Sequence, residues 1–273
     1  MIITHKQLRE IIREALVLEG VHDPGIYKAI FMAGCPGSGK GTVLRTIFGT
    51  DTGTTHTGLK IVNSDKLYEY LLASSGMPLS VPRMPDATPW SPTSYRSAAG
   101  RLQHRAVMKT TGGSKGISPG HVGMDPLAHG YKPSKKQRGP TQLETYINGR
   151  LGLIIDGTAA NFDKISREKD ILESLGYDTM MIAVNVPIEV AMERNDQRGL
   201  AGKRAIDKRA VLRTCKSVIP NLPRYSALFG AAYIEIDNTL PPGQAIGPEV
   251  IRQVDSFISA PDAAQTDHDW TST

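Results

Sequence analysis

The chain has 273 residues, which is enough to bury a full hydrophobic core as one domain with insertions, or as two domains at most. Hydrophobic residues make up 40% and charged residues 22%, as in ordinary globular proteins, and no apolar run is long enough to cross a bilayer. The two cysteines, Cys35 and Cys215, can form neither a disulfide framework nor a metal site of the usual spacing. We therefore expect neither a membrane protein nor a disulfide-rich one, and we expect a reducing cytoplasm as its compartment.

The net charge of +5 is concentrated in one part of the chain. Residues 77 to 150 contain 11 lysines and arginines against three acidic residues, a charge of +8, so the rest of the chain carries −3. This distribution predicts that the basic segment meets an anion.

Residues 27 to 42, with the sequence YKAIFMAGCPGSGKGT, have the pattern of a buried strand, a glycine-rich loop and the start of a helix. Glycines let backbone N–H groups approach anionic oxygens, and the helix adds the positive end of its dipole. A plain turn does not need a lysine, whereas a lysine here can reach the β and γ phosphates of a nucleotide. The predicted nucleotide-binding residues of this loop are Gly34, Cys35, Pro36, Gly37, Ser38, Gly39, Lys40, Gly41 and Thr42.

The loop departs from the pattern GxxxxGK[ST] at one position, because Gly41 follows the lysine and the hydroxyl comes one residue later, at Thr42. The variant GxPGSGKGT resembles the loop of nucleoside monophosphate kinases and related small P-loop kinases. We predict ATP as the nucleotide and Mg²⁺ as its metal ion, with Thr42 on the side of the metal.

A short second strand is predicted in LKIVN (59–63), and the helix that begins after it carries Asp65. Open α/β sheets bind ligands at the carboxyl ends of their strands, so this carboxylate should face the γ-phosphate. Ser64 and Asp65 are also suitable helix N-caps, and capping alone would explain the residue type.

The run LGLII (151–155) predicts a third strand, buried on both faces and ending at Asp156. This position matches the carboxylate that P-loop proteins keep opposite the phosphate loop to hold Mg²⁺, although a simple Asp-Gly turn would explain the same pair of residues. Two more strands, in DTMMIAVNVP (178–187) and AAYIEID (231–237), alternate with helical patterns, which indicates parallel crossovers.

These features together resemble the zeta-toxin and polynucleotide-kinase-like P-loop kinases, over roughly residues 27 to 75 and 142 to 239. The resemblance implies that Asp65 is the base for the acceptor hydroxyl and that Asn238, after the fifth strand, lines the adenine pocket. It also implies a lid at about residues 190 to 209 that closes over the transferred phosphoryl group. The arginines of this lid are Arg194, Arg198 and Arg204.

Residues 77 to 141 are predicted as a basic insertion, rich in proline and glycine, at the place where this family binds its acceptor. Within it, residues 94 to 110 have the pattern of a helix, and Arg96, Arg101 and Arg105 on that helix are the predicted substrate-binding residues. The remainder is predicted as loop, whose Lys135 to Arg138 run suits a solvated loop as well as a substrate clamp.

The predicted domain is completed by two flanking segments. Residues 1 to 20 have the pattern of an amphipathic helix, which either packs on its own domain or docks to a protein partner. Its TxKQLxxIIRE pattern also resembles N-terminal segments of tailed-phage proteins, which would place the chain in a host cytoplasm. The kinase domain is predicted at residues 21 to 259, and residues 260 to 273 are predicted as a mobile tail.

The predicted fold is a three-layer α/β P-loop fold, with a parallel five-stranded sheet in the order 2-3-1-4-5 and helices on both faces. The predicted function is transfer of the ATP γ-phosphate to a hydroxyl of an anionic acceptor, either a small molecule such as a nucleotide or sugar nucleotide, or a nucleic-acid end. Two alternatives remain open. One is a nucleoside monophosphate kinase, and the other is an ATP-binding switch protein with weak ATPase activity that holds a partner.

Overall fold

The computed structural model describes residues 25–79, 92–118, 121–122, 140–240 and 246–260. The strands are β1 (Lys28–Ala33), β2 (Lys60–Val62), β3 (Leu153–Asp156), β4 (Asp178–Asn185) and β5 (Tyr233–Asp237). The α-helices of the described residues are α1 (Lys40–Phe48), α2 (Ser64–Ser74), α3 (Pro92–Thr110), α4 (Gln142–Asn148), α5 (Phe162–Ser174), α6 (Ile188–Leu200), α7 (Lys208–Val218), α8 (Leu222–Phe229) and α9 (Pro248–Ser259).

The five strands form one parallel sheet in the order β2-β3-β1-β4-β5, which confirms the predicted order. Strand β1 is central and fully buried, and Ile30 lies in register with Ile154 of β3 and Met180 of β4. Because all strands run the same way, their carboxyl ends share one edge of the sheet. The phosphate loop follows β1 at that edge, and Asp156 ends β3 there.

Alternate side chains of β1 enter two separate hydrophobic cores, one on each face of the sheet. Ala29 and Phe31 join a core covered by α4, α5, α7 and α8, whereas Ile30 and Met32 join a core covered by α1 and α9. This alternation is the period-two pattern of a strand that is buried on both faces. It confirms the predicted arrangement of a sheet between two helical layers.

A third, smaller core holds α2 against α3 beside the edge strand β2. Its buried members are Tyr68, Leu72, Met77, Tyr95, Ala99 and Ala106. The predicted helix at 94–110 is thus confirmed as α3, and its apolar residues fix it to the helix that carries Asp65. Helix α4 begins with a capping box, in which Thr141 Oγ1 accepts from the Glu144 N–H and the Glu144 carboxylate accepts from the Thr141 N–H.

The predicted N-terminal helix and all but the first residue of the predicted tail lie outside the described residues, as does the Lys135 to Arg138 run. The proposed division into domain, insertion and lid stays a prediction. In the part of the chain that the structure describes, no helix combines the length and apolarity needed to span a bilayer.

Candidate phosphoryl-transfer site

The phosphate loop between β1 and α1 has a backbone that only glycine can adopt at two key positions. Gly37 and Gly39 have φ angles of 89° and 94°, in the left-handed region. A Cβ atom at Gly37 would collide with the carbonyl oxygen of Ala191, and one at Gly39 would collide with the amide of Asn238. The loop is therefore shaped by backbone angles that suit glycine and by close packing against α6 and the segment after β5.

The other face of the loop is braced by the segment that follows β5. Asn238 is 5% exposed, and its Nδ2 donates to the carbonyl oxygen of Ser38 over 2.7 Å. The Ser38 hydroxyl is fully buried and has no hydrogen-bond partner among the described residues. The amide of Asn238 thus stabilises the loop, a contact that the predicted role in an adenine pocket did not include.

The ammonium group of Lys40 lies over the phosphate loop. It donates to the carbonyl oxygens of Gly34, at 2.8 Å, and Cys35, at 3.2 Å. Burial lowers the pKa of Lys40, while the carboxylates of Asp156 and Asp65 oppose this shift. The two predicted carboxylates are therefore close enough to act on the lysine through their charge.

Asp156, at the end of β3, is held by a residue that the sequence prediction missed. Asn63 Nδ2 donates to Asp156 Oδ2 over 2.6 Å, and Asn63 Oδ1 accepts from the Asp65 N–H over 2.7 Å. Burial raises the pKa of Asp156 to about 6, with Lys40 acting in the opposite direction. Asn63 thus fixes one acidic side chain and the start of the helix that carries the other.

The N-cap of α2 is Asn63, so the interpretation of Ser64 or Asp65 as the cap is wrong. Asp65 lies within the first helical turn, and its side chain is free for another role. Because Asn63 already satisfies the helix terminus, capping no longer accounts for a carboxylate at this position.

The side chain of Asp65 pairs with Arg204, which is 139 residues further along the chain. Arg204 Nη1 lies 2.9 Å from Asp65 Oδ2, and the guanidinium also lies over the ring of Tyr68, 4.9 Å from its centroid. Arg204 is 9% exposed, whereas the Asp65 side chain is 53% exposed. The predicted base and one predicted lid arginine therefore meet at the mouth of the site.

The three predicted lid arginines differ in position. Arg194 on α6 lies near Gly39 of the phosphate loop, and its Nη2 donates weakly to the Leu240 carbonyl oxygen over 3.4 Å. Arg198 is exposed on the same helix, and its guanidinium makes no hydrogen bond or ion pair with the described residues. Only Arg204 is buried and paired with a predicted catalytic group.

Asn195 sets the position of the segment that carries Arg204. It is 3% exposed, its Nδ2 donates to the Ile206 carbonyl oxygen over 2.8 Å, and its Oδ1 accepts from the Ile206 N–H over 2.9 Å. This pair of bonds closes the turn after α6. A lone asparagine in a charged helix gave no signal for this role in the sequence.

The predicted metal-side hydroxyl, Thr42, faces the side chain of Arg45, whose Nη2 donates to Thr42 Oγ1 over 3.3 Å. Cys35 is 3% exposed, and burial raises the pKa of its thiol, as does the neighbouring Cys215. A thiol kept protonated is a poor nucleophile, in agreement with the expectation that the backbone of this residue does the binding.

A cavity of about 310 Å³ lies beside Asn63, between the first turn of α2, the end of α3 and the start of α4. Its lining includes Lys66, Lys109, Thr110 and Gln142, and none of its lining residues is acidic. The predicted substrate-binding residues Arg96, Arg101 and Arg105 are all exposed on α3 and do not line this cavity.

Residues 137–226, a third of the chain, match a family model described as Zeta toxin. This stretch includes Asp156 and the lid arginines but not the phosphate loop or Asp65. The chain is also similar to a solved chain from work on the PezAT chromosomal toxin–antitoxin system of Streptococcus pneumoniae, with 13% identity over 95% of this chain and 98% of that one, at a TM-score of 0.38. No curated protein matches the chain. The parallel sheet in the order 2-3-1-4-5, with a glycine-rich phosphate loop after its central strand, is the fold that these observations establish.

Proposed function

We propose that the protein is an ATP-dependent kinase that transfers the γ-phosphate to a hydroxyl group of an anionic acceptor. The observation that carries the proposal is the pairing of Asp65 with Arg204 beside Lys40, at the carboxyl edge of the sheet. A binding protein that only holds a nucleotide needs the loop and the lysine. It does not need a carboxylate oriented by an arginine next to them.

The residues fit a nucleoside triphosphate. The loop leaves no room for a Cβ at Gly37 or Gly39, and the Ser38 hydroxyl is buried without a partner among the described residues. The amides at the start of α1 belong to a helix whose N-cap, Gly39, has no side chain to cap them. Together these features suit the loop to phosphate oxygens.

The residues also fit Mg²⁺, which prefers oxygen ligands and usually binds through one or two carboxylates together with the phosphates. Asp156 supplies a carboxylate that Asn63 orients. A bound Mg²⁺ ion would offset the negative charge on the β and γ oxygens.

In the proposed reaction, Asp65 accepts the proton of the acceptor hydroxyl as that oxygen forms a bond to the γ-phosphorus. The bond from the γ-phosphorus to the bridging oxygen breaks, and ADP leaves with the electron pair. Lys40 and the loop amides hold the donor phosphates, while Arg204 and Arg194 face the charge that develops on the phosphoryl oxygens. Positioning and charge supply most of the rate, because the protein forms no covalent bond itself.

The acceptor is proposed to place an anionic group in the cavity between Lys66 and Lys109. The two ammonium groups favour a phosphate or carboxylate, although Lys66 also lies 4.0 Å from Asp51, which is outside the lining. The volume of about 310 Å³ is at the lower end of ordinary ligand sites, so a nucleotide-sized or sugar-phosphate-sized group fits better than a long nucleic acid.

The proposal is tested by incubating the protein with γ-labelled ATP and an extract of small metabolites and RNA, and then identifying the labelled product. We expect one labelled phosphate ester of an anionic compound, and its loss in an Asp65→Asn variant that still binds ATP. Labelling of nucleoside monophosphates by the Asp65→Asn variant would instead favour a nucleoside monophosphate kinase, whose acceptor is already a phosphate and needs no base. ATP hydrolysis without any labelled acceptor would contradict both.

A further inference from the structure

The phosphate loop lacks a hydroxyl directly after its lysine, and a carboxylate lies beside the place where that side chain would begin. A Cβ atom at Gly41 would lie 3.2 Å from Asp51 Oδ2. Gly41 itself has no positive φ angle, so the backbone there does not demand glycine. The carboxylate of Asp51, and not the backbone conformation, is what distinguishes the surroundings of Gly41.

Thr42 does not replace the missing side chain. Successive residues of an α-helix point about 100° apart, so the Thr42 hydroxyl leaves the helix in a different direction from that of Gly41. The Arg45 guanidinium reaches this hydroxyl through Nη2, at 3.3 Å. The Thr42 hydroxyl is thus already engaged by Arg45, the same guanidinium that binds Asp51.

Asp51 is held in place by positive charge. Arg45 Nη1 donates to Asp51 Oδ2 over 2.6 Å, and Lys66 Nζ lies 4.0 Å from the same oxygen. The Asp51 side chain is 24% exposed, so it is neither a free surface group nor sealed from solvent. Its charge contributes to the raised pKa of Asp156, which indicates that the two carboxylates share one region of the site.

We propose that the Asp51 carboxylate takes the place of the missing hydroxyl on the magnesium side of the phosphate loop, as a ligand of the nucleotide-bound Mg²⁺ or of a water molecule on it. This inference rests on the proposed function, since the metal enters with ATP. Within the described ranges, no three His, Cys, Asp or Glu side chains are grouped closely enough to hold a metal ion alone. A site completed by nucleotide phosphates is the usual arrangement for Mg²⁺.

Two cationic side chains, Arg45 and Lys66, lie beside the Asp51 carboxylate. A carboxylate in place of a neutral hydroxyl adds a negative charge close to the phosphates, which would weaken nucleotide binding by repulsion. Arg45 and Lys66 offset that charge and orient the carboxylate, as hydrogen-bonded partners commonly do for metal-binding side chains.

The test compares nucleotide binding with and without a divalent metal ion. The dissociation constants of ADP and of a non-hydrolysable ATP analogue would be measured by calorimetry in excess Mg²⁺ and in chelator, and Mn²⁺ binding to the nucleotide complex would be followed by electron paramagnetic resonance. We expect Asp51→Asn to reduce the gain in affinity that the metal provides by about tenfold, the lower end of the usual effect of such ligand-shell changes. Affinity in chelator should be unchanged or higher, because a negative charge has been removed.

A rescue variant separates metal binding from a general structural effect. In an Asp51→Ala background, Gly41→Ser restores a hydroxyl directly after the lysine and should recover most of the metal-dependent affinity. In the wild-type background the same Gly41→Ser change is crowded by Asp51 and should gain little. Asp170→Asn, an exposed carboxylate on α5, is the matched control and should leave both dissociation constants unchanged.

The results of these binding measurements separate the role of Asp51 from the proposed kinase function. If wild-type protein binds nucleotide with a metal-dependent gain that Asp51→Asn and Asp51→Ala both retain, the role of Asp51 is overturned while the proposed kinase function stands. If the metal-dependent gain is lost with Asp51 and regained with Gly41→Ser, the role of Asp51 is supported, even if no acceptor is phosphorylated. If wild-type protein binds no nucleotide, both proposals fail.

Discussion

The two halves of the site are built in different ways. The donor half, from β1 to α1, is one continuous stretch, residues 28–48, and its loop takes its shape from glycine backbone geometry. The acceptor half joins side chains from distant segments, of which Asp65 and Arg204 are the clearest pair. The donor half is therefore continuous in sequence, with Ala191 and Asn238 packed against its loop, whereas the acceptor half forms only where the lid segment packs on α2.

The largest expected effect concerns the pair that assembles the acceptor half. Arg204→Ala should lower the rate of phosphoryl transfer by about 1000-fold, because it removes both the partner of Asp65 and a charge near the transferred group. Arg198→Ala, an exposed arginine of the same lid, should change the rate by only a few fold. Single-turnover rates with both variants check this, alongside thermal unfolding to show that each variant folds. Equal losses would mean that the lid acts as a diffuse positive surface and not through Arg204.

The next effect concerns the donor half. Gly37→Ala should weaken nucleotide binding by about 100-fold, because a methyl group would meet the Ala191 carbonyl oxygen and because alanine is strained at a φ of 89°. Gly58→Ala is the matched control, since Gly58 has a similar φ of 85° but open space around the added Cβ. Calorimetric titration with ADP measures both variants. An equal loss in the two would assign the effect to general backbone strain.

A smaller effect distinguishes the cavity from the exposed arginines of α3. Lys109→Ala should raise the KM for the acceptor by about tenfold without changing ATP binding, since Lys109 lines the cavity. Arg105→Ala, one turn earlier on the same helix and exposed, should have little effect. Steady-state kinetics with varied acceptor measure the difference. If Arg105→Ala raised the KM more than Lys109→Ala did, the result would favour substrate binding by the exposed arginines of α3.

The smallest expected effect concerns the contact between α5 and the segment that follows α3. Glu168 on α5 is 1% exposed and lies against Gly116, and burial raises the pKa of its carboxyl above the ordinary value. A carboxyl whose pKa is raised by folding stabilises the folded state below its unfolded pKa, and that contribution is lost as pH rises through the folded value. Glu168→Gln should therefore be more stable than wild type at neutral and alkaline pH, with the difference shrinking as pH falls toward 4.5, the unperturbed value for glutamate.

Thermal unfolding of wild type and Glu168→Gln across this pH range provides the measurement. A constant difference at all pH values would show that the substitution acts through packing and not through the charge. Asp170→Asn, an exposed carboxylate on the same helix, serves as the control.

The sequence predicted the fold well because its evidence is local. Each strand is a short apolar run, and the alternation with helical patterns leaves few ways to order a parallel sheet. The phosphate loop and Asp156 could be located for the same reason, since the loop follows β1 and Asp156 ends β3.

The residues that the sequence did not reveal act through contacts between distant segments. Asn63 joins Asp156 to α2 across 93 residues, and Asn238 reaches Ser38 across 200. Asparagines are common in loops and helix caps, so their residue type alone carries no signal for such roles. The place of Asp51 beside Gly41 also depends on how the loop after α1 folds back, which periodicity does not predict.

The role of Asp65 is the central claim, and a rapid-quench measurement with labelled ATP and the identified acceptor tests it most directly. Asparagine at position 65 keeps an oxygen for Arg204 but cannot accept a proton. We predict that Asp65→Asn binds Mg²⁺ and ATP as wild type does and transfers the phosphoryl group at least about 1000-fold more slowly. Transfer at the wild-type rate in that variant would contradict the account.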